Sequence, residues 1–121
     1  MTTPRDPAPL LPLTPAMFHV LLALADDERH GYAIIKEIEQ RTGNTVCLSA
    51  GTLYGLVKRL LADKLIEESA RRPPAHDDDG RRRYYRLTPF GRRVLVAEVE
   101  RLEDAVEMAR AKHTLRRTQH A

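Results

Sequence analysis

Thr52, Tyr54, Lys58 and Arg59 lie within one stretch, LSAGTLYGLVKRLLADKLI (residues 48–66), interleaved with Gly51 and Gly55. Hydroxyls, a phenol and two cations at this spacing are donors waiting for oxygen acceptors, a set suited to phosphates and base edges rather than to bond making. The spacing makes the stretch a helix. Leu53, Leu56, Val57, Leu60 and Leu61 fall at i, i+3, i+4, i+7 and i+8, a continuous apolar stripe that must be buried. At 100° per residue, Gly51, Thr52, Gly55, Lys58 and Arg59 take the opposite side, with Tyr54 on the flank. Ser49 is a good N-cap, because its hydroxyl can accept from a backbone N–H left unpaired in the first turn. Glycine inside a helix costs about 1 kcal/mol relative to alanine, so Gly55 on the outward face fits a large partner that approaches the backbone there. The competing reading is a surface helix with ordinary solvated charges.

Other chemistry is poorly supplied. No Ser, His and acid set, no glycine-rich phosphate loop and no paired carboxylates stand in a supporting context, so neither an enzyme nor a bound cofactor is expected. His19 reads as a core or surface imidazole, since no partner sits at metal-ligand spacing. His76 beside Asp77, Asp78 and Asp79 makes a poor preformed cage, and no metal site is expected. Cys47, the single cysteine, cannot form an internal disulfide and reads as a small core hydrophobe. The formal net charge is only +3 over 121 residues, yet it is unevenly spread. Residues 1–47 carry net −2, residues 48–93 net +5 and residues 94–121 net 0, and a central basic block suits a polyanion. No apolar run is long enough to span a bilayer and no signal peptide opens the chain, so a cytoplasmic protein without membrane association is expected.

The elements that position the basic helix follow from the chain order. Residues 1–13 hold four prolines and no helical period, which predicts a disordered tail or an arm on a partner subunit. Thr14-Pro15 starts a first helix ending near Asp26, with Phe18, Leu21, Leu22, Leu24 and Ala25 as its apolar face. Residues 27–29 form a polar turn. His30-Gly31-Tyr32 leads into a second helix with an Ile34, Ile35, Ile38 stripe, closed by Gly43. Only residues 44–48 separate it from the basic helix, and two short helices joined by a tight link describe a helix-turn-helix.

Beyond Lys64 the period changes to that of strands, at residues 65–71 and 83–87, with Tyr84 or Tyr85 turned inward. The segment between them ends in Asp79-Gly80 and has strong turn chemistry. A hairpin in this place is a wing, with Arg71, Arg72, Arg81, Arg82 and Arg83 on its stems and an acidic tip. Those arginines either hold phosphates or are neutralised by Asp77, Asp78 and Asp79 in the free protein. Thr88-Pro89 then starts a helix to about Lys112, in which Leu95, Val99, Leu102, Val106 and Ala109 form a heptad seam flanked by Glu98, Glu100, Arg101, Glu103, Asp104, Glu107 and Arg110. A long helix with a narrow seam in a short chain predicts a symmetric dimer, the competing view being a seam folded back on the first helix. Residues 113–121 read as frayed.

As a set, HGYAIIKEIEQRTG, LSAGTLYGLVKRLLADKLIE and RRRYYRLTPFG closely resemble the PadR family of bacterial transcriptional regulators, over roughly Leu21 to Leu95. The resemblance implies a winged helix-turn-helix with a C-terminal dimerisation helix, acting mostly as a repressor at palindromic operators. It further implies that Tyr32, Ser49, Thr52, Tyr54 and Lys58 touch DNA and that the wing arginines match a basic wing. Small members of the family bind aromatic or drug-like effectors at the dimer interface. The present chain has no Trp and so lacks the stacking platform of the multidrug-sensing members.

The expected fold is therefore mainly α with a small β-hairpin: a tail at 1–13, a winged helix-turn-helix at 14–88, a dimerisation helix at 89–112 and a frayed end at 113–121. The expected function is a homodimeric repressor on double-stranded DNA, open to a small-molecule effector of unknown identity. The alternative is a winged-helix protein-interaction module that does not bind DNA.

Overall fold

A computed structural model describes residues 4–71 and 83–112 of the chain. After a 3-10 turn at Ala8–Leu10 come α1 (Pro15–Ala23), β1 (Arg29–His30), α2 (Gly31–Arg41), α3 (Ala50–Ala62), β2 (Ile66–Glu68), β3 (Tyr84–Leu87) and α4 (Pro89–Ala111). The expected wing tip with Arg72, Arg81 and Arg82, and the expected fraying at 113–121, lie outside the described residues. Three helices start on hydroxyl caps: Thr14 accepts from the Met17 N–H, Ser49 from Thr52 and Thr88 from Gly91. His30 caps α2 in the same way, its Nδ1 accepting from the Ala33 N–H at 3.2 Å.

The core lies where α1, α2, α3 and the base of α4 meet. Leu21, Ile34, Ile38, Leu53, Leu60, Leu65 and Ile66 are its largest fully buried apolar side chains. In α3 the stripe is inward as expected, with Leu53, Val57 and Leu60 buried and Leu56 and Leu61 packed at the edge. In α1 it differs: Met17, Val20, Leu21 and Leu24 are buried, whereas Phe18, Leu22 and Ala25 are half-exposed. This helix is apolar nearly all round, so its neighbours rather than its own pattern select the face. It ends at Ala23, where the Arg29 Nε–H donates to the Ala23 carbonyl and Arg92 Nη2 to that of Ala25.

The sheet is three-stranded and antiparallel in the order β1-β3-β2. Arg29 pairs with Tyr85 and His30 with Tyr84, while Ile66 pairs with Leu87 and Glu68 with Tyr85. The expected hairpin is present, but its strands are shorter than the sequence suggested, and the supposed polar turn at 27–29 runs into a third strand. Tyr84 and Tyr85 are both buried: one packs edge-on against His30 and under Arg71, the other enters the core.

Three further expectations are corrected. Residues 4–13 are not a free tail: Leu13 is buried and Leu10 and Leu11 pack on the core of the same chain, because three leucines among prolines offer apolar surface at little cost in chain entropy. Cys47 is exposed. The 46–48 segment alternates, turning Val46 and Leu48 toward the core and the thiol outward, where it donates to the Asn44 carbonyl at 3.3 Å. Glu98, expected among the charges flanking the seam, is 2% exposed. Its carboxylate accepts from Arg101 at 2.6 and 3.0 Å and from the Leu13 N–H at 3.2 Å. The Arg101 hydrogen bonds hold its pKa below the ordinary glutamate value against the opposing effect of burial.

One junction sets where α4 begins. The Thr88 hydroxyl donates to the Lys64 carbonyl at 2.6 Å and the Thr88 N–H to that of Leu65 at 3.1 Å. At Gly91 the helix backbone lies so close to Leu65, the residue before β2, that a Cβ would clash with the Leu65 carbonyl oxygen. Gly91→Ala should therefore destabilise the fold by about 3 kcal/mol or more through forced displacement of backbone. A urea midpoint within error of wild type would show that α4 shifts freely.

Candidate nucleic-acid interface

The helix-turn-helix turns through two consecutive left-handed residues, Gly43 at φ 59° and Asn44 at φ 65°, directly after the α2 C-cap Thr42. Glycine and asparagine tolerate this region best. The Thr42 hydroxyl donates to the Ile38 carbonyl at 2.8 Å and accepts from the Val46 N–H at 3.2 Å, which ties the linker back to α2.

With that turn in place, α3 presents Gly51, Thr52, Tyr54, Gly55, Lys58 and Arg59 to solvent. Tyr54 is 51% exposed, and Tyr32, in the first turn of α2, 57%. Tyr54 is not loose: a Cβ on Gly31 would fall 2.5 Å from its hydroxyl oxygen, so its ring lies against the start of α2 and Gly31 leaves room for it. The Lys36 ammonium stands 5.3 Å from the Tyr32 ring. Burial pushes the Tyr85 phenol up, with Tyr54 contributing next. Among the described residues, nothing lies within 4 Å of where a Cβ on Gly51 or Gly55 would stand. Ser49 and Thr52 bond each other, Oγ to Oγ1 at 3.0 Å, alongside the cap.

The cations divide into two kinds. Lys58 and Arg59 make no ion pair with any described residue. The described arginines of the wing strands are paired instead: Arg71 with Asp27 at 3.4 Å, Arg83 with Glu68 at 3.0 Å, and Arg86 with Glu67 at 2.8 Å and Glu28 at 3.7 Å. Sequence reasoning had offered only the aspartates of the tip as partners. The acids that pair these arginines stand on β2 and the turn before β1, brought near by strand pairing, which no local signal reveals. Arg81 and Arg82 lie outside the described residues.

The seam residues divide as well. Leu95 is 5% exposed and belongs to the core of its own chain, so it is not free for a partner. Val99, Leu102 and Val106 are exposed. With Phe18 of α1 they form a groove of about 670 Å³ rimmed by Glu103, Glu107 and Arg110. Ala109 is half-buried and lies outside that groove. Among the described residues no group of His, Cys, Asp and Glu is placed to hold a metal ion, and no helix is long and apolar enough to cross a membrane.

Residues 20–97, which contain the whole stretch that carries the sequence resemblance, match the transcriptional regulator PadR-like family. The chain belongs to that family. The family is one of transcriptional regulators, not enzymes, and membership supports a DNA-binding regulatory role. An uncharacterised 37.1 kDa protein in a transposon of Streptomyces fradiae is 42% identical over 86 residues, which are 69% of this chain but 21% of that protein. The chain thus spans about a fifth of this relative's length. A transcriptional regulator of Mycobacterium tuberculosis is 41% identical over 71% of this chain and 74% of its own. Among solved structures, a PadR-like transcriptional regulator from Bacillus cereus shares the fold, with a TM-score of 0.67 at 20% identity over 84% of this chain and 93% of that one. BpsR of Bordetella bronchiseptica, whose DNA binding is described as regulated by 6-hydroxynicotinic acid, aligns with a TM-score of 0.59 at 30% identity, over 79% of this chain and 64% of its own. The chain therefore has a PadR-like winged-helix fold, with a two-residue third strand, β1, at the edge of its sheet.

Because the Ser49 hydroxyl is both cap and exposed group, two substitutions separate its roles. Ser49→Ala should cost about 1 kcal/mol of stability by thermal unfolding, whereas Ser49→Asp should retain the cap. Equal losses in both variants would mean that the cap contributes nothing.

Proposed function

We propose that this PadR-like protein is a homodimeric repressor that binds a pseudo-palindromic operator, with α3 in the major groove and the wing along the flanking backbone. The observation that carries the reading is the outward face of α3, where the unpaired Lys58 and Arg59 flank glycines with open space before them. Lys58 and Arg59 reach phosphates without first breaking an ion pair, and Thr52 and Tyr54 stand near base edges. Tyr32 and Ser49 border the same face. Arg83, with Arg81 and Arg82, supplies the wing contacts.

Dimerisation through Val99, Leu102, Val106 and Ala109, with Phe18 at the margin, would cover the exposed groove and hold the two α3 helices about 34 Å apart, one turn of DNA. Because operator spacing is fixed, a ligand that changes the angle between protomers changes affinity. The groove offers a small-molecule effector of unknown identity an apolar floor and a charged rim, in keeping with the ligand-regulated Bordetella neighbour.

The decisive experiment compares binding to the duplex upstream of the protein's own coding sequence with binding to a scrambled duplex of equal length, at two salt concentrations. The expected result is tight binding to the native duplex alone, weakening with salt. Absence of binding to either at low salt would favour a protein-interaction module. Gly55→Ala should stabilise the fold by about 1 kcal/mol and yet weaken operator binding; unchanged affinity would remove the close backbone approach. Val99→Glu with Leu102→Glu should give monomers by sedimentation, and a surviving dimer would place the interface elsewhere.

A further inference from the structure

The N-terminal segment does more than cover apolar surface. It makes four contacts with the end of α3 and with α4. Arg5 Nη1 donates at 2.6 Å to the carbonyl of Asp63, the α3 C-cap, where the helix dipole favours a cation. The Arg5 guanidinium also lies over the Phe90 ring in the first turn of α4, 4.3 Å from its centroid, and the Arg5 carbonyl accepts from Arg93 Nη2 at 2.8 Å. Eight residues later, the Leu13 N–H donates to the buried carboxylate of Glu98. Between these anchors Leu10 and Leu11 pack on the core.

We propose that residues 5–13 are a strap that fixes the angle between α3 and α4, and that Arg5 is a positioning residue for operator spacing. The proposal rests on the dimeric operator-binding reading above. Its physical basis is leverage. The buried residues of α4, Gly91, Val94, Leu95 and Glu98, all lie in its N-terminal half. A 23-residue helix is about 35 Å long, so a pivot of about 5° at its base moves the far end by about 3 Å, close to the ~3.4 Å rise of a base pair. The junction at Gly91 and Thr88 holds one side of that base, and Arg5 and Glu98 hold the other. Since Arg5 is exposed and outside the apolar core, its loss should loosen the pivot without unfolding the chain.

The test uses the full-length dimer. Wild type first selects duplexes from a randomised library. A series is then built on the selected sequence, with the half-sites moved apart or together by one and two base pairs, and with a single half-site alone. Wild type, Arg5→Ala and a variant lacking residues 2–7 are compared by affinity and thermal midpoint. The expected result is an unchanged single half-site affinity, thermal midpoints close to wild type, and a discrimination between native and altered spacing reduced about fivefold or more in both variants. Wild-type discrimination retained in both variants would overturn the strap. So would an equal loss on half-site and full site, which would make Arg5 a support of α3 itself or a direct DNA contact. Failure of wild type to select any duplex would overturn the DNA-binding reading first, and the strap with it.

Discussion

The close approach of Gly91 to the Leu65 carbonyl is the constraint on which the far half of the molecule depends. Leu65 follows the left-handed Lys64, φ 61°, at the exit of α3, so the same backbone that ends α3 also seats α4. Thr88 reinforces the seat by capping α4 with one hydroxyl lone pair while its hydrogen goes to the Lys64 carbonyl. The outward face of α3 and the direction of α4 are thereby referred to one short piece of chain. The start of α4 is thus fixed to the exit of α3, and on the proposed function this seat would link the operator face to the dimer helix.

A second organising feature is the economy of charge. The cations of α3 are left unpaired, while those of the wing stem are held by Asp27, Glu28, Glu67 and Glu68. These stem pairs are exposed, and exposed pairs contribute little to stability. Their value lies in holding long side chains in place along the strands. Glu98, the one buried carboxylate among the described residues, accepts from both Arg101 and Leu13, which is the condition for tolerating a charge away from water.

Much of this was legible in the sequence because local chemistry dictates it. The Thr14, Ser49 and Thr88 caps, the α3 stripe and the Gly43 turn each depend on residues a few positions apart. What could not be read depends on partners distant in sequence. The β1 strand exists because Tyr84 and Tyr85 lie opposite Arg29 and His30; no alternation of its own announces two residues as a strand. Glu98 carries a surface residue's identity, and its buried carboxylate is satisfied by Arg101 together with the Leu13 amide, 85 positions away. The proline-rich start shows no period, yet three leucines sufficed to dock it. At the candidate interface the positions on α3 followed from helical geometry alone, whereas the pairing of the wing arginines depended on strand register. The loss of Leu95 from the seam followed from how far α4 is sunk into the core, which heptad spacing does not encode.

The unequal pairing of the cations has a consequence for the time course of an encounter. On the proposed operator, Lys58 and Arg59 need no rearrangement before they meet a phosphate, so they would act during diffusional approach and set the association rate. Arg71, Arg83 and Arg86 must exchange a carboxylate for a phosphate, an event confined to the docked complex and reversed only when the acid recaptures its arginine. Residence time would then be governed by the wing and capture by the helix, two rates under the control of different residues of one small domain.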